Sequence, residues 1–343
     1  VTFSAFAADK DMMPDATIRD VARRAQVSVA SVSRVLNGLD NVSDATKARI
    51  SDAVRELGYV PHAGARSLSL SRTNAVGVVL PDLHGEFFSE IVRGMDREAS
   101  RRGYLMLLSH LHARGDQAPN AMRAMRGRVD ALIVMAPHLS TEELAESLPA
   151  GLRAMLINTR DRRGVHPTIR LDNHAGVRAV VDHLAALGRN RLVHIAGPPE
   201  NIDAQERSAA FRDAASAHNL RFEVLVGDFQ GPSGEAAIHT LLERGDKFDA
   251  VFAANDNMAI GALQALRDAG IDVPREVAVV GFDDIPLARH FGITTVRVRI
   301  AELGERAMAL LLDGLASDSG WHDELHAPEL VVRETTDPEG GNA

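Results

Sequence analysis

Residues 17–38 read TIRDVARRAQVSVASVSRVLNG, and the two halves of this stretch differ in character. In the first half Ile18, Val21, Ala22 and Ala25 share one helical face, and Thr17 followed three residues later by Asp20 has capping-box spacing. Val27 and Ser28 form a turn, Ser28 is placed to cap a second helix over 29–36, and Asn37-Gly38 ends that helix. With Val32, Val35 and Leu36 turned inward, the second helix presents Val29, Ala30, Ser33 and Arg34. This surface is smooth and carries one charge, whereas a helix that faces only water is usually rich in charged residues. Ser43 is placed to cap a third helix, with Ile50, Val54 and Leu57 on its inner face and Gly58 at its end.

Two short helices joined by a tight turn have the geometry of a helix-turn-helix. The second helix fits a major groove about 12 Å wide. Its small side chains permit close approach: Val29 and Ala30 can meet thymine methyls, and Arg34 can fork onto a guanine edge. Ser31, Asn37, Ser43 and Thr46 can position the helix through phosphates, and Thr17 and Ser28, at the helix starts, belong to the same DNA-facing set. Spacing alone leaves a plainer alternative open, a three-helix bundle with a serine-rich face.

The rest of the chain is longer and different in texture. At 343 residues the protein has room for more than one core. Its net charge is −9, yet residues 15–72 hold nine Lys/Arg against six Asp/Glu, so a slightly basic head precedes an acidic body. The absence of cysteine excludes disulfides, thiolate catalysis and Cys-ligated zinc, and fits a cytoplasmic protein. No apolar run reaches the ~18 to 20 residues of a membrane span. The opening VTFSAFAADKDMMPD lacks a basic start and a long apolar stretch, so residues 1–14 are expected to be a disordered tail, not a signal peptide.

From Ala75 onward short apolar runs (AVGVVLPD, ALIVMAP, AMLINT, RLVHIAG, AVFAAND, VAVVGFDD) alternate with amphipathic stretches such as 88–102, 176–187, 258–269 and 301–315. Continuously apolar strands alternating with helices predict doubly wound parallel sheets covered on both faces. Most of these runs end in Asp, Asn, Pro or Gly, and ligands in such sheets bind beyond the carboxyl ends of the strands. No glycine-rich dinucleotide fingerprint or P-loop follows any strand, so no cofactor is expected. HDELH at 322–326 has two His four apart but a misplaced Glu, and is read as a solvated loop with no metal. Asp283-Asp284 has no accompanying nucleophile, which argues against an enzyme.

Several separate motifs in order resemble the lactose/galactose-repressor (LacI/GalR) family across nearly the whole chain. ATIRDVARRAQVSVASVSRVLNG, VSDATKARI and LGYVPHAGARSL are similar to its headpiece, third helix and hinge, and VGVVLPDLHGEFFSEIVRGMDREASRRGY, HIAGP, FAANDNMAIGAL, VAVVGFDDIP and ELVVRETT to its core. The resemblance implies an all-α helix-turn-helix headpiece at 15–60, a hinge at 61–73 and a periplasmic-binding-protein-like (type I) α/β core of two doubly wound subdomains at 74–343. One subdomain is expected at about 74–170 and 294–325, the other at about 171–293 and 326–343. It also implies a hinge helix that inserts Leu68 into the minor groove, with Ala65 and Arg66 on the preceding turn. His62 and Gly64 depart from the hinge pattern, so that the hinge is expected to be coil off DNA.

For the core, the resemblance implies a sugar-like effector held by Phe87, Phe88, Asn158, Arg207, Phe229, Asn255 and Asp283, a set of planar donors and acceptors with aromatic faces. Val298 and Met135 stand where the family often has polar contacts. The implied protein is a cytoplasmic, homodimeric, ligand-controlled repressor of transcription that binds palindromic operator DNA and has no membrane partner. A dimer is favoured because the chain ends soon after ELVVRETT without a heptad tail. The competing reading, a solute-binding protein of a sugar transport system, has no use for the helix-turn-helix. Arg34→Ala is expected to relax base preference at one operator position by ~1 to 3 kcal/mol; binding to a set of single-base operator variants measures it, and an unchanged preference at every position would count against major-groove reading.

Overall fold

In the computed structural model, which describes residues 16–38, 42–60, 72–111, 118–317 and 322–337, helix α1 (Ile18–Ala25) begins on a complete capping box. The Asp20 amide donates to Thr17 Oγ1 (3.4 Å) and the Thr17 amide to Asp20 Oδ2 (3.0 Å). The helix ends at Gln26, which is left-handed (φ 50°) and turns the chain without a glycine. Ser28 then caps α2 (Val29–Leu36) by accepting from the Ser31 amide at 3.1 Å. α3 (Asp44–Leu57) closes at Gly58 (φ 57°). Its start departs from expectation: Ser43 occupies the N-cap position but bonds no backbone amide, and its hydroxyl pairs instead with that of Thr46 at 3.0 Å.

Val21, Ala22, Ala25, Val32, Ile50 and Ala53 form the buried centre of these three helices. Val35, Leu36, Val54 and Leu57, expected inside, are only partly buried at its rim. Alanines on α1 and α3 let the two helices approach closely, so the larger side chains close the edges of the core. Arg24 and Glu56 join α1 to α3 across the surface at 2.6 Å. The chain divides between Thr73 and Asn74, and this head is one of two compact units.

The second unit holds two parallel sheets. The first has the order β11-β5-β4-β3-β1-β2, built from β1 (Ala75–Leu80), β2 (Leu105–His110), β3 (Ala131–Val134), β4 (Arg153–Ile157), β5 (Thr168–Leu171) and β11 (Glu324–His326). The second has the order β7-β6-β8-β9, from β6 (Arg191–Ala196), β7 (Arg221–Val226), β8 (Ala250–Ala253) and β9 (Ala278–Val280). The central strands β1, β3 and β8 are buried at every residue, which is why they read as unbroken apolar runs. β2, β5 and β7 escaped the sequence reading. β2 and β7 are edge strands whose side chains are mixed and largely exposed, and β5 is short.

Helices α4 (Glu86–Arg101), α7 (Asn173–Ala186), α8 (Ile202–Ala217), α9 (Gly231–Glu243) and α10 (Asp256–Asp268) cover the sheets, with α5 (Ala118–Ala124) and α6 (Thr141–Ser147) beside the first. The chain returns to the first sheet through α12 (Ile300–Ala316), which packs on α4, β3 and β4, and α11 (Pro286–His290) precedes that return. β10 (Thr295–Arg297) and β12 (Glu329–Val331) form a separate antiparallel pair between these elements. Residues 75–171 and 324–326 therefore share one sheet and 191–280 the other.

The stretch 322–326, expected as a loop, contributes β11, pairing Glu324 with Ile169 and His326 with Leu171. Three residues are too few to show periodicity, and the strand is recognisable only from its partner. Glu324 binds Arg306, which holds its carboxyl down at about 2, and both His322 and His326 lie against it (3.1 and 3.2 Å). Among the described residues no cluster of three or more His, Cys, Asp or Glu side chains is arranged to hold a metal.

Close helix packing sets the geometry of the first lobe. α4 and α12 cross at Gly94 and Gly304: a Cβ on Gly304 would lie 2.2 Å from the Ile91 carbonyl oxygen, and one on Gly94 1.9 Å from that of Ala301. Alanine is worth about 1 kcal/mol over glycine in an exposed helix, but here it must force two backbones apart. Gly304→Ala is therefore expected to destabilise the protein by about 1 to 3 kcal/mol. A thermal melt that showed an unchanged or higher Tm would refute the contact.

Candidate functional site

On the head, Val29 (42% exposed), Ala30 and Arg34 face outward, and Ser33 is half-buried. Arg34 makes no ion pair among the described residues, so its guanidinium is available to a partner. The hydroxyl groups around it are already organised: Ser28 and Ser31 hydroxyls meet at 2.9 Å, and Asn37 Nδ2 donates to Ser33 Oγ at 3.3 Å. Thr17 is engaged in its capping box and Ser43 with Thr46, which leaves these side chains to present a fixed edge at the helix starts. Ala65, Arg66 and Leu68, with His62 and Gly64, lie outside the described residues.

In the second unit all seven cleft residues expected from the resemblance line one cavity of about 90 Å³. They come from different strand ends. Phe87 and Phe88 open α4 after β1, with rings edge to face at 5.4 Å. Asn158 follows β4 in a left-handed conformation (φ 43°) and accepts from the Leu171 amide at 3.2 Å. Phe229 precedes α9, also left-handed (φ 69°), its ring seated over Gly197, where a Cβ would lie 2.3 Å from it. Asn255 caps α10 through the Met258 amide (3.0 Å) and donates to the Phe229 carbonyl at 2.9 Å. The helix-capping and cleft roles of Asn255 thus coexist. Met135 lines the cavity; Val298 is buried and does not.

Arg207, on α8, is the charged centre of the cleft and 4% exposed. Its Nε donates to Asn173 Oδ1 (2.9 Å), its Nη1 to the Ala254 carbonyl (2.5 Å), and its plane stacks on Phe282 at 3.7 Å. Its Nη2 stands 3.7 Å from Asp283 Oδ1, an ion pair too long for a hydrogen bond, and that oxygen is buried without a hydrogen-bond partner. Asn173 in turn donates to Asp203 Oδ1 and to Glu206 Oε2, both at 2.8 Å. Sequence reading missed His84, Asn201, Asp203, Gln230 and Asn257, which also line the cavity. A signal for Asp203 was present: it precedes Arg207 by one helical turn and so shares its face. Gln230 and Asn257 adjoin expected residues without any pattern of their own.

Burial pushes the Asp283 carboxyl up, Arg207 pulls it down and Asp203 pushes it up again, leaving it at about 7. Burial likewise raises Asp203 and, most strongly, Asp256, whose oxygens accept from Thr295 Oγ1 (2.5 Å) and the Ile285 amide (2.9 Å). Asp284 goes the other way: burial raises it, but bonds from Arg297 (2.6 Å) and Arg333 (2.5 Å) outweigh that and hold it below the usual carboxylate range. The two neighbouring carboxylates are thus different in kind, one unpartnered in the cleft and one locked in an ion-pair cluster.

The raised Asp283 has a consequence for stability. From about pH 4 to about 7 the folded chain keeps a proton that the unfolded chain has released, so this group destabilises the fold as pH rises through that window, by at most about 1.4 kcal/mol per unit. Asp283→Asn should remove that slope. Melts of parent and variant at pH 5 and pH 7.5 should show the variant gaining on the parent at the higher pH; an equal difference at both values would speak against the shift.

Comparison with known proteins agrees with this geometry. Residues 17–62 match the family model of bacterial regulatory proteins, lacI family, and residues 181–336 that of the periplasmic binding protein-like domain. The chain is 37% identical over 308 residues to the HTH-type transcriptional regulator GalS of Salmonella typhimurium, covering 88% of this chain and 90% of that protein. It is 34% identical over 328 residues to the ribose operon repressor of Escherichia coli, covering 92% and 98%. The lac repressor dimer bound to operator and the anti-inducer ONPF matches with a TM-score of 0.87 at 27% identity over 94% of this chain and 99% of that one. The complex of the transcriptional regulator CelR with cellobiose matches with a TM-score of 0.69 at 31% identity over 93% and 99%. A helix-turn-helix head followed by two parallel sheets around a polar cleft, similar over nearly its full length to such proteins, makes this chain a member of the LacI family of bacterial transcriptional regulators.

Proposed function

We propose that this regulator is a cytoplasmic repressor that binds a near-palindromic operator as a homodimer, and that a sugar-like effector in the core cleft sets its affinity for DNA. The observation that carries the effector reading is the gap between Arg207 Nη2 and Asp283 Oδ1, 3.7 Å wide, with the oxygen buried and unpartnered. A hydroxyl accepts from one group and donates to the other, and so bridges a gap that neither can close alone. Phe87, Phe88 and Phe229 offer apolar faces against which a sugar ring can lie. Similar proteins named for the ribose operon and solved with cellobiose support the same class.

The edge strand β2 supports the homodimer. Leu105 (71% exposed) and Leu107 (37%) share one face of β2 and Leu108 (41%) lies on the other, an apolar edge unpaired among the described residues, of the kind that soluble chains ordinarily cover. Two heads in one dimer would read two half-sites, with Arg34 and its small neighbours in the groove and phosphate contacts making affinity fall steeply with salt. By linkage, operator DNA must change sugar affinity by the factor by which sugar changes operator affinity.

Fluorescence anisotropy on a palindrome panel, repeated with a panel of pentoses, hexoses and disaccharides, tests the proposal. The expected result is one palindrome preferred over random duplex at least about 1000-fold, the lower end of the range for specific DNA-binding proteins, with one sugar altering that affinity. Equal binding to every duplex at low ionic strength, with and without sugars, would falsify it.

A further inference from the structure

The cleft offers a ligand more acidic groups than basic ones, and this bears on the class of effector. Among the described residues that line it, Arg207 is the only Lys or Arg, and two of its three nitrogens are already bonded to Asn173 and to the Ala254 carbonyl. Against it stand two carboxylates, Asp283 and Asp203. Asp203 is nine-tenths buried; its Oδ1 is held by Asn173, and its Oδ2 has no hydrogen-bond partner among the described residues. Both hydrogens of Asn173 Nδ2 are engaged, one by Asp203 and one by Glu206, so Asp203 cannot swing away without leaving that amide short of an acceptor.

Helix N-termini ordinarily welcome anions, and at the cleft those of α8 and α10 are already capped by side chains. α8 starts at the cleft with Asn201 accepting from two of its first amides (2.9 and 3.2 Å) and Asp203 in its first turn. α10 starts with Asn255 as cap and Asp256 in its first turn, and α4 has Glu86 in its own. α9 has no side-chain cap, and just before it the amide of Gln230, its N-cap residue, is bonded to Asp228 at 2.8 Å. An acidic ligand would meet a guanidinium with two of its nitrogens already bonded and two acidic side chains beside it.

We propose that Asp203 makes this cleft a filter against anions, so that the effector is an uncharged polyol and not a sugar acid or a sugar phosphate. This rests on the sugar-like effector reading given above and narrows it. Asp203 acts as a specificity-determining acceptor: it takes hydrogen bonds from ligand hydroxyls and repels a ligand carboxylate or phosphate across a short distance in a poorly solvated site.

The test is calorimetric titration of the full-length protein with neutral pentoses, hexoses and disaccharides, and with the matching uronic acids, aldonic acids and 6-phosphates. The expected result is that a neutral sugar binds at least about tenfold more tightly than each of its acidic counterparts. Asp203→Asn should narrow that ratio at least about fivefold, because the amide keeps an acceptor for Asn173 but loses the charge. If that variant does not fold, Asp203→Ser, with a neutral acceptor oxygen, carries the same comparison. An acid or phosphate that binds as tightly as its neutral parent, or a ratio unmoved in the folded variant, overturns the filter and leaves the sugar reading standing. Binding of no member of either panel overturns both.

Discussion

The buried carboxylate of Asp284 holds together the parts of the core on which the cleft depends. Its side chain is 1% exposed, and a lone charge so placed would cost several kcal/mol. Arg297 on β10 and Arg333 just past β12 supply charge-assisted bonds at 2.6 and 2.5 Å, and Arg289 of α11 stands at 3.6 Å. The segments that carry the chain between the two sheets therefore meet at one carboxylate at the end of β9. Asp283 and Asp284 both have positive φ (113° and 56°), an arrangement that costs about 1 to 3 kcal/mol per residue and persists where surroundings over-determine it. The arginine cluster provides that determination. It fixes Asp284 on one side of the chain and so aims Asp283, the next residue back, into the cleft.

This arrangement couples recognition to the crossing strands through covalent adjacency. The Asp283 amide donates to the Val296 carbonyl of β10 at 2.8 Å, in the strand that carries Arg297. Asp283 is thus bonded through its amide to β10, while its carboxyl faces Arg207 of α8 across 3.7 Å. Arg207 itself is held by Asn173, at the start of the first helix after the crossing from β5. The cleft residues and the crossing strands thus lie along one short run of buried polar groups, where such bonds are strong and their loss is costly.

Much of this was legible in the residues. The capping box at Thr17, the Ser28 cap, the apolar face of α1 and the smooth outer face of α2 follow from side-chain chemistry at helical spacing, so most of the head was readable from residues 17–58 alone. Strands buried on both faces, such as β1, β3 and β8, announce themselves as apolar runs because every side chain meets a helix. Edge strands do not: β7 alternates charge and bulk, and β11 is three residues of EL and His whose pairing exists only with β5. The cap at Ser43 also misled, since the spacing permitted a bond to the helix that its hydroxyl makes instead with Thr46.

What the sequence by itself determined was the list of parts: a groove-sized helix, alternating strands and helices, and polar residues at strand ends where a ligand could sit. These depend on interactions within a few residues or on period alone. Only the tertiary structure decided how the polar residues face one another. It left Asp283 without a partner, saturated Arg207 on two sides, and put Asp203 into the cleft, although the three lie up to 80 residues apart. Burial and through-space charge set those outcomes, and neither is a property of any local stretch of chain.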